Sequence, residues 1–352
     1  MNRFDNNFGA IKFIAAIMVI GGHMPVLLGG VGPFFFGTGI HTMGVRILFT
    51  ISGYLITMSW LSDPNIFRFG IKRILRIWPP LIVCILISAF VIGPIVTTIS
   101  LKEYFQSPIL WKYFNNLKFN INYNLPGVFE NNPYPNAVNG SLWTLPLEIR
   151  LYVIIPVILF FVSKYKKNTT KTVNLICIIL ISCMIYILQQ FFWPDWNGEV
   201  LGFNLTTTGL GLIPYYLMGM GYALLPIKKA LNLPVAIILV LLHSCFPFGR
   251  LENEIILFFE LPYFIFSLAF VKSNILNKIF SVELSYGIYL YGFLIQQIII
   301  YWINIKLRLQ LDIIVLLVVS ILITFCCSII SYFMVERPIL KLSKHLLKRL
   351  RN

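Results

Sequence analysis

What constrains this chain most is the length of its apolar runs. Stretch after stretch of about 18 to 25 residues carries few charges, the length an α-helix needs to cross the hydrocarbon of a bilayer. Inside hydrocarbon every backbone N–H and C=O must be bonded within the chain, so such runs fold as helices rather than open sheets. Ten runs are read, near 9–28, 43–61, 75–98, 141–163, 173–192, 207–225, 233–247, 254–271, 284–303 and 312–334. The predicted class is therefore all-α: a polytopic integral membrane protein of about ten transmembrane helices. Composition agrees. Of 352 residues 58% are hydrophobic and 12% charged, too little polar surface to cover a soluble domain of this size. The first run lacks a small-residue cleavage site and reads as a retained span.

The net charge of +15 would point to nucleic acid in a soluble protein. Here the positive-inside rule accounts for it, and no nucleic-acid partner is expected. With a cytoplasmic N-terminus, roughly 19 basic residues fall on the cytoplasmic side against about 6 outside. The cytoplasmic set includes Arg68, Lys72, Arg73 and Arg76, the lysines near 164–171, and the basic tail from Arg337 to Arg351. Both termini are thus predicted to be cytoplasmic. The six cysteines all fall in or beside apolar spans and show no metal-ligand spacing, so neither a metal site nor a disulfide framework is expected.

Two loops stand out. In "SDPNIFRFGIKRILRIWPP", Ser62 to Pro80, Arg73 and Arg76 lie one helical turn apart with Lys72 beside them. Two guanidinium groups on one face can grip phosphates together, and the same residues serve equally as membrane-edge anchors. The external segment from Ile99 to Gly140 is long and, in its second half, rich in Asn, Tyr, Phe and Pro. Loops of this length are usually functional. Its amides and rings suit a sugar, and a structured lid without a ligand is the other reading.

Ionisable residues inside spans carry the sharpest signal, because charge in hydrocarbon is costly and is kept for function. "KFIAAIMVIGGHMP" places Lys12 and His23 11 residues apart. That is about 3 turns and ~16 Å of rise, so both side chains share one helix face. Glu148, in "NGSLWTLPLEIRLY", lies ~10 Å below the outer end of its span, a depth like that of His23. A carboxylate beside a histidine fixes its tautomer and stabilises the imidazolium formed when it takes a proton, which is general-base chemistry. The alternatives are helix–helix hydrogen bonding for His23 and an ion pair with Arg150 or Arg46 for Glu148. Ser52 and Gly53 fall mid-span, where small residues allow close helix approach; no nucleophile elbow surrounds Ser52. His41 and His243 read as interface residues without a role.

Six blocks then occur in order: Lys12 and His23; "FTISGYL" from Phe49 to Leu55; "KRILRIWP" from Lys72 to Pro79; "NGSLWTLPLEIRLY" from Asn139 to Tyr152; "SYGIYLYG" from Ser285 to Gly292; and "VERP" from Val335 to Pro338. Together they resemble the acyltransferase-3 family of bacterial membrane proteins that acylate surface polysaccharides. The resemblance covers nearly the whole chain. It implies transfer of an acyl group, acetyl above all, from cytoplasmic acyl-CoA as co-substrate to a hydroxyl of an extracytoplasmic glycan. It implies His23 as the catalytic histidine with Glu148 as a motif acid, and Lys12, Arg73 and Arg76 against the CoA phosphates. The chain departs from the pattern at two positions. Lys12 stands where the family usually has arginine, a cation without the bidentate fork. Gly292 stands where many members have a histidine, so no second histidine role carries over.

The expected arrangement is an acyltransferase transmembrane domain over 1–340 and a basic cytoplasmic tail over 341–352, in the bacterial cytoplasmic membrane, working without a fused extracytoplasmic domain. Its partners would be the bilayer, acyl-CoA and a polysaccharide or lipid-linked glycan; small-residue faces permit a homodimer without demanding one. Trp143, Tyr152 and Ser52 are alternative donors to the oxyanion of the tetrahedral intermediate. The competing function is a proton-coupled transporter or flippase of lipid-linked sugar, with His23 and Glu148 as a proton relay.

Overall fold

The structure is a computed structural model that describes residues 6–163, 180–185, 199–200, 203–204, 207–224, 230–271, 273–280 and 282–350. The span expected at 173–192 lies, apart from 180–185, outside the described residues, as do Arg3, Lys164, Lys166, Lys167, Lys171, Lys228, Lys229 and Lys272. The fold is mostly helical. Among the described residues six helical stretches are long and apolar enough to cross a membrane: Phe8–Leu27, Ile40–Ser62, Ile66–Val96, Gly140–Phe160, Ser285–Lys306 and Ile313–Arg349. Leu233–Cys245 is a shorter apolar helix. This is a multi-pass membrane protein.

The helices are α1 (Phe8–Leu27), α2 (Ile40–Ser62), α3 (Ile66–Ile87), α4 (Leu101–Gln106), α5 (Pro108–Tyr113), α6 (Leu145–Ser163), α7 (Thr207–Leu224), α8 (Leu233–Cys245), α9 (Arg250–Ala269), α10 (Asn274–Ile279), α11 (Ser285–Ile300), α12 (Ile313–Ser331) and α13 (Arg337–Arg349). Short polar side chains start several of them. Asn65 accepts from Arg68 N–H, Asn232 from Val235 N–H and Asp312 from Ile314 N–H, each satisfying a donor that the first turn leaves open. Three long helices contain π-helical turns, at Ser88–Ile92, Tyr301–Lys306 and Tyr332–Glu336.

The chain divides into two compact units. The first comprises residues up to Ala15, Phe34–Pro64 and Leu151–Val282. In it α2 and α7 pack with their backbones touching. A Cβ on Gly53 would collide with the Tyr216 carbonyl, and one on Gly219 with the Thr50 carbonyl; this is the close approach the small residues of α2 predict. Phe8, Tyr54, Phe266 and Phe270 form an aromatic cluster with centroids 5.2 to 6.3 Å apart. Arg46, offered by the sequence as a partner of Glu148, pairs with Glu254 at 2.8 Å. Thr38 donates to the other oxygen of Glu254 at 2.6 Å, and the guanidinium lies 5.1 Å from the centre of the Tyr215 ring.

The second unit comprises Ala16–Pro33, Asn65–Arg150 and Glu283–Asn352. Its core gathers Leu81, Cys84 and Ile85 of α3, Leu125, Val128 and Phe129 of the external segment, and Leu290 and Leu294 of α11. Gly287 of α11 lies against Ser328 of α12. The external segment is itself folded. It holds α4, α5 and a 3-10 turn over Phe114–Lys118. Asn116 donates to the carbonyls of Tyr113 and Asn122, and Asn132 to both the carbonyl and the side chain of Gln297. The buried amides of Asn116, Asn132 and Asn139 therefore brace the segment itself, where the sequence also read them as groups for a sugar. α13 packs against α3, and the expected boundary between residues 340 and 341 falls inside this helix.

Candidate active site

His23 sits near the outer end of α1, three residues beyond Ile20. The neighbouring helix α11 holds that stretch in two ways. Gln296 Nε2 donates to the Ile20 carbonyl at 2.8 Å. Gly292 lies so close that a Cβ there would come within 2.8 Å of Ile20 Cγ1. Glycine at this position thus serves helix contact, which is its physical meaning where relatives of the resembled family carry histidine. The imidazole is half-buried, edge-to-face with Phe293, at 5.5 Å between centroids and 78° between planes. Phe293 also meets Tyr134 at 6.2 Å, and a Cβ on Gly140 would lie 2.6 Å from its ring. One aromatic side chain therefore ties His23 to the start of the "NGSLW" block.

That block is built by Asn139. Its Nδ2 donates to the Leu290 carbonyl at 2.8 Å and its Oδ1 accepts from Ser141 N–H at 3.2 Å. A 3-10 turn over Gly140–Thr144 follows and runs into α6. The Thr144 and Tyr289 hydroxyls are 2.7 Å apart. Trp143 is half-buried on the 3-10 turn, and Glu148, also half-buried, lies in the first turn of α6, where the helix N-terminus favours negative charge. Its carboxylate lies within electrostatic reach of Tyr286 and Tyr289.

The cations come from α3. Lys72, Arg73 and Arg76 are all half-buried. Arg76 pairs with Glu283 at 2.7 Å, and Arg73 lies 5.5 Å from the centre of the Phe69 ring. Tyr286 joins the two ends of the unit: its hydroxyl donates to the Ile77 carbonyl at 3.1 Å, and Arg76, Glu148 and Glu336 all act on it electrostatically. His23, Trp143, Glu148, Arg73 and Arg76 thus belong to one compact unit, while Lys12, Ser52 and Tyr152 belong to the other. Lys12 and Tyr152 are buried there and Ser52 is half-buried.

Sequence reasoning missed Phe293, Gln296, Tyr286 and Glu283. Gln296 and Gln297 did carry a signal, two adjacent amides in an apolar span that must find partners inside the protein. Phe293 carried none, since one phenylalanine among 30 is distinguished only by what it touches.

In this setting a half-buried imidazole can take a proton from an alcohol, and a nearby carboxylate favours the resulting imidazolium. Comparison with known proteins accords with such chemistry. An "O-acetyl transferase" of Shigella phage Sf6 is 35% identical over 152 residues, 43% of this chain and 44% of that protein. "Nodulation protein 10" of Rhizobium leguminosarum is 28% identical over 177 residues, 46% of each chain. "Peptidoglycan O-acetyltransferase OatA" of Listeria monocytogenes is 27% identical over 139 residues, 36% of this chain and 21% of that protein. The chain matches less than half the length of each of these relatives. No solved structure matches it. The sequence family described as an acyltransferase domain matches residues 5–333, so nearly the whole chain is that domain, and the protein belongs to the acyltransferase-3 family.

Proposed function

We propose that this protein is an O-acyltransferase of the bacterial cytoplasmic membrane that moves an acyl group, acetyl above all, from cytoplasmic acyl-CoA to a hydroxyl of an extracytoplasmic glycan. The reading rests chiefly on one observation: the histidine of the family's first motif packs through Phe293 on the Asn139–Gly140 turn that leads to Glu148. The names of the relatives supply the reaction class. About ten spans with both termini cytoplasmic, and a basic segment over 341–352, complete the proposed topology.

Each residue then has a task. Lys72, Arg73 and Arg76 on α3, with Lys12 on α1, offer cations to the phosphates at the nucleotide end of CoA. His23 takes the proton of the sugar hydroxyl as its oxygen attacks the thioester carbonyl. Glu148 favours the imidazolium. As the tetrahedral intermediate collapses, the carbon–sulfur bond breaks, the thiolate takes the proton from the imidazolium, and the new ester leaves with the glycan. Trp143 N–H, Tyr152 O–H and Ser52 O–H are the available donors to the oxyanion. No acyl-enzyme is required.

The test is label transfer in membrane vesicles. Labelled acetyl-CoA is supplied, and label is followed into extracted glycan for the native chain and His23→Ala at matched expression. Transfer that disappears with the substitution supports the reading. Equal transfer by both removes His23 from the chemistry. Glycan that crosses the membrane without gaining label replaces the enzyme with the transporter.

A further inference from the structure

A second polar centre lies in the first unit, away from every motif of the family. His243 of α8 and Glu260 of α9 are both buried, with Nδ1 and Oε2 2.6 Å apart. His243 Nε2 lies 2.8 Å from Asn253 Oδ1. The Asn253 amide is oriented by its Nδ2, which donates to the Phe248 carbonyl at 3.0 Å. Oδ1 therefore faces the imidazole and Nε2 must be the donor. Phe36 stacks flat on the imidazole at 4.0 Å. One further proton is shared between Nδ1 and Oε2, so the pair is neutral as a whole whichever atom holds it. The other oxygen, Glu260 Oε1, has no hydrogen-bond partner among the described residues, although Glu260 is only 7% exposed.

That oxygen belongs to the wall of a cavity of about 620 Å³ between α7, α8 and α9, within the ~300–1,000 Å³ range of small-molecule sites. The remaining wall is almost wholly apolar, with Tyr222, Leu242, Phe246 and Phe259 among its residues. Leu242, Phe246 and Phe259 are more than half exposed, so the mouth is an apolar rim and suits an occupant arriving from hydrocarbon rather than water. Oε1 accepts a hydrogen bond whether the shared proton sits on Nδ1 or on Oε2, so the occupant must donate one. An ammonium would add an unpaired charge beside a neutral pair in an apolar cavity, which is costly; a hydroxyl adds none. We propose that this cavity is a binding site for a hydroxyl-headed membrane lipid, its chain along the aromatic wall and its hydroxyl donating to Glu260 Oε1. The site is independent of the acyl-transfer reading.

The test uses the full chain in lipid nanodiscs, a photoreactive hexadecanol and the matching methyl ether, which lacks the donor. Crosslinked peptides are mapped. The alcohol is expected to label α8 and α9 roughly tenfold more than the ether, the ratio one hydrogen bond to a carboxylate supports. Glu260→Gln should retain that ratio: its amide N–H₂ donates to Nδ1 and leaves an oxygen facing the cavity. Glu260→Leu should bring the alcohol down to the ether, and Leu242→Trp, which fills the cavity, should abolish labelling by both. Competition by monoacylglycerol stronger than by hexadecanol assigns the hydroxyl to a glycerolipid, weaker competition to a simple long-chain alcohol. Equal labelling by alcohol and ether, or labelling undiminished by Leu242→Trp, overturns the proposal. If either apolar variant does not fold, the alcohol-to-ether ratio of the native chain and of Glu260→Gln decides.

Discussion

Gln296 of α11 donates its side-chain amide to the main-chain carbonyl of Ile20, 2.8 Å away and three residues before His23. A hydrogen bond from a fully buried amide to a helix backbone locks both the rotation and the depth of that turn. Gln296→Leu is expected to cost about 1 kcal/mol of stability. It should lower kcat more than tenfold with KM nearly unchanged, because a shift of order 1 Å at a reacting group costs about 10²-fold. The pH profile should keep its shape, since Gln296 positions a group and does not titrate. A fall in stability with kcat intact would reduce Gln296 to helix packing.

Gly53 and Gly219 let α2 and α7 meet backbone to backbone. Neither backbone can move aside as a side chain would. Gly53→Val should therefore reach or exceed the upper end of the ~1–3 kcal/mol cost of overpacking, whereas Leu48→Met in the same helix conserves volume and should be tolerated. Thermal unfolding in nanodiscs separates them; equal melting temperatures would contradict the contact.

Arg46 and Glu254 form a buried pair, with side chains 8% and 9% exposed. Removing one partner strands a charge, so Glu254→Ala should destabilise by about 3–5 kcal/mol. The double variant Arg46→Met, Glu254→Leu leaves no stranded charge and should recover most of the loss. A double variant as unstable as the single one would mean that the charges are needed for more than each other.

Arg76 and Glu283 are paired in a more open setting, 32% and 22% exposed, so Glu283→Gln should cost only ~0–1 kcal/mol. If Arg76 meets the CoA phosphates, Arg76→Ala raises KM for acetyl-CoA with a smaller change in kcat. Glu283→Gln should act oppositely and lower that KM by about threefold, because the competing carboxylate charge is gone. Steady-state kinetics on vesicles decides; a KM indifferent to both changes would remove Arg76 from the donor site.

In the external segment, Ser100 and Glu103 form a reciprocal cap on α4. Ser100 donates its hydroxyl and its backbone N–H to the Glu103 carboxylate, and its hydroxyl oxygen accepts from Glu103 N–H. The hydroxyl hydrogen bond first, and the backbone one second, lower the Glu103 pKa. A depressed folded-state pKa means that the contribution is complete above the unfolded value, about 4.3, and is lost as pH falls through the folded one. Amide exchange in α4, corrected for intrinsic rate, should therefore accelerate below that window. Glu103→Gln should remove the pH dependence; an unchanged profile would show that the carboxylate does not hold the cap.

Membrane class, mostly helical structure and family were all legible in the residues themselves. Run length alone decides that α1, α2 or α12 can cross hydrocarbon, because the backbone must satisfy itself wherever water is excluded. The ordered blocks around Lys12, Arg73, Glu148 and Gly292 carry the family. Which polar group meets which was not legible. Gln296 reaches Ile20 across 276 positions and Arg46 reaches Glu254 across 208. In helices apolar around their whole circumference, periodicity does not say which face meets which neighbour. Glu254 and Glu260 looked like charges adrift in a span, and Asn116 and Asn132 looked free for a sugar. Tertiary packing alone decided that the first two are neutralised by Arg46 and His243, that the asparagines brace their own segment, and that Phe293 joins His23 to Gly140. The reason is physical: a buried polar or aromatic group is stable only beside its complement, and the complement is chosen by packing between segments far apart in the chain.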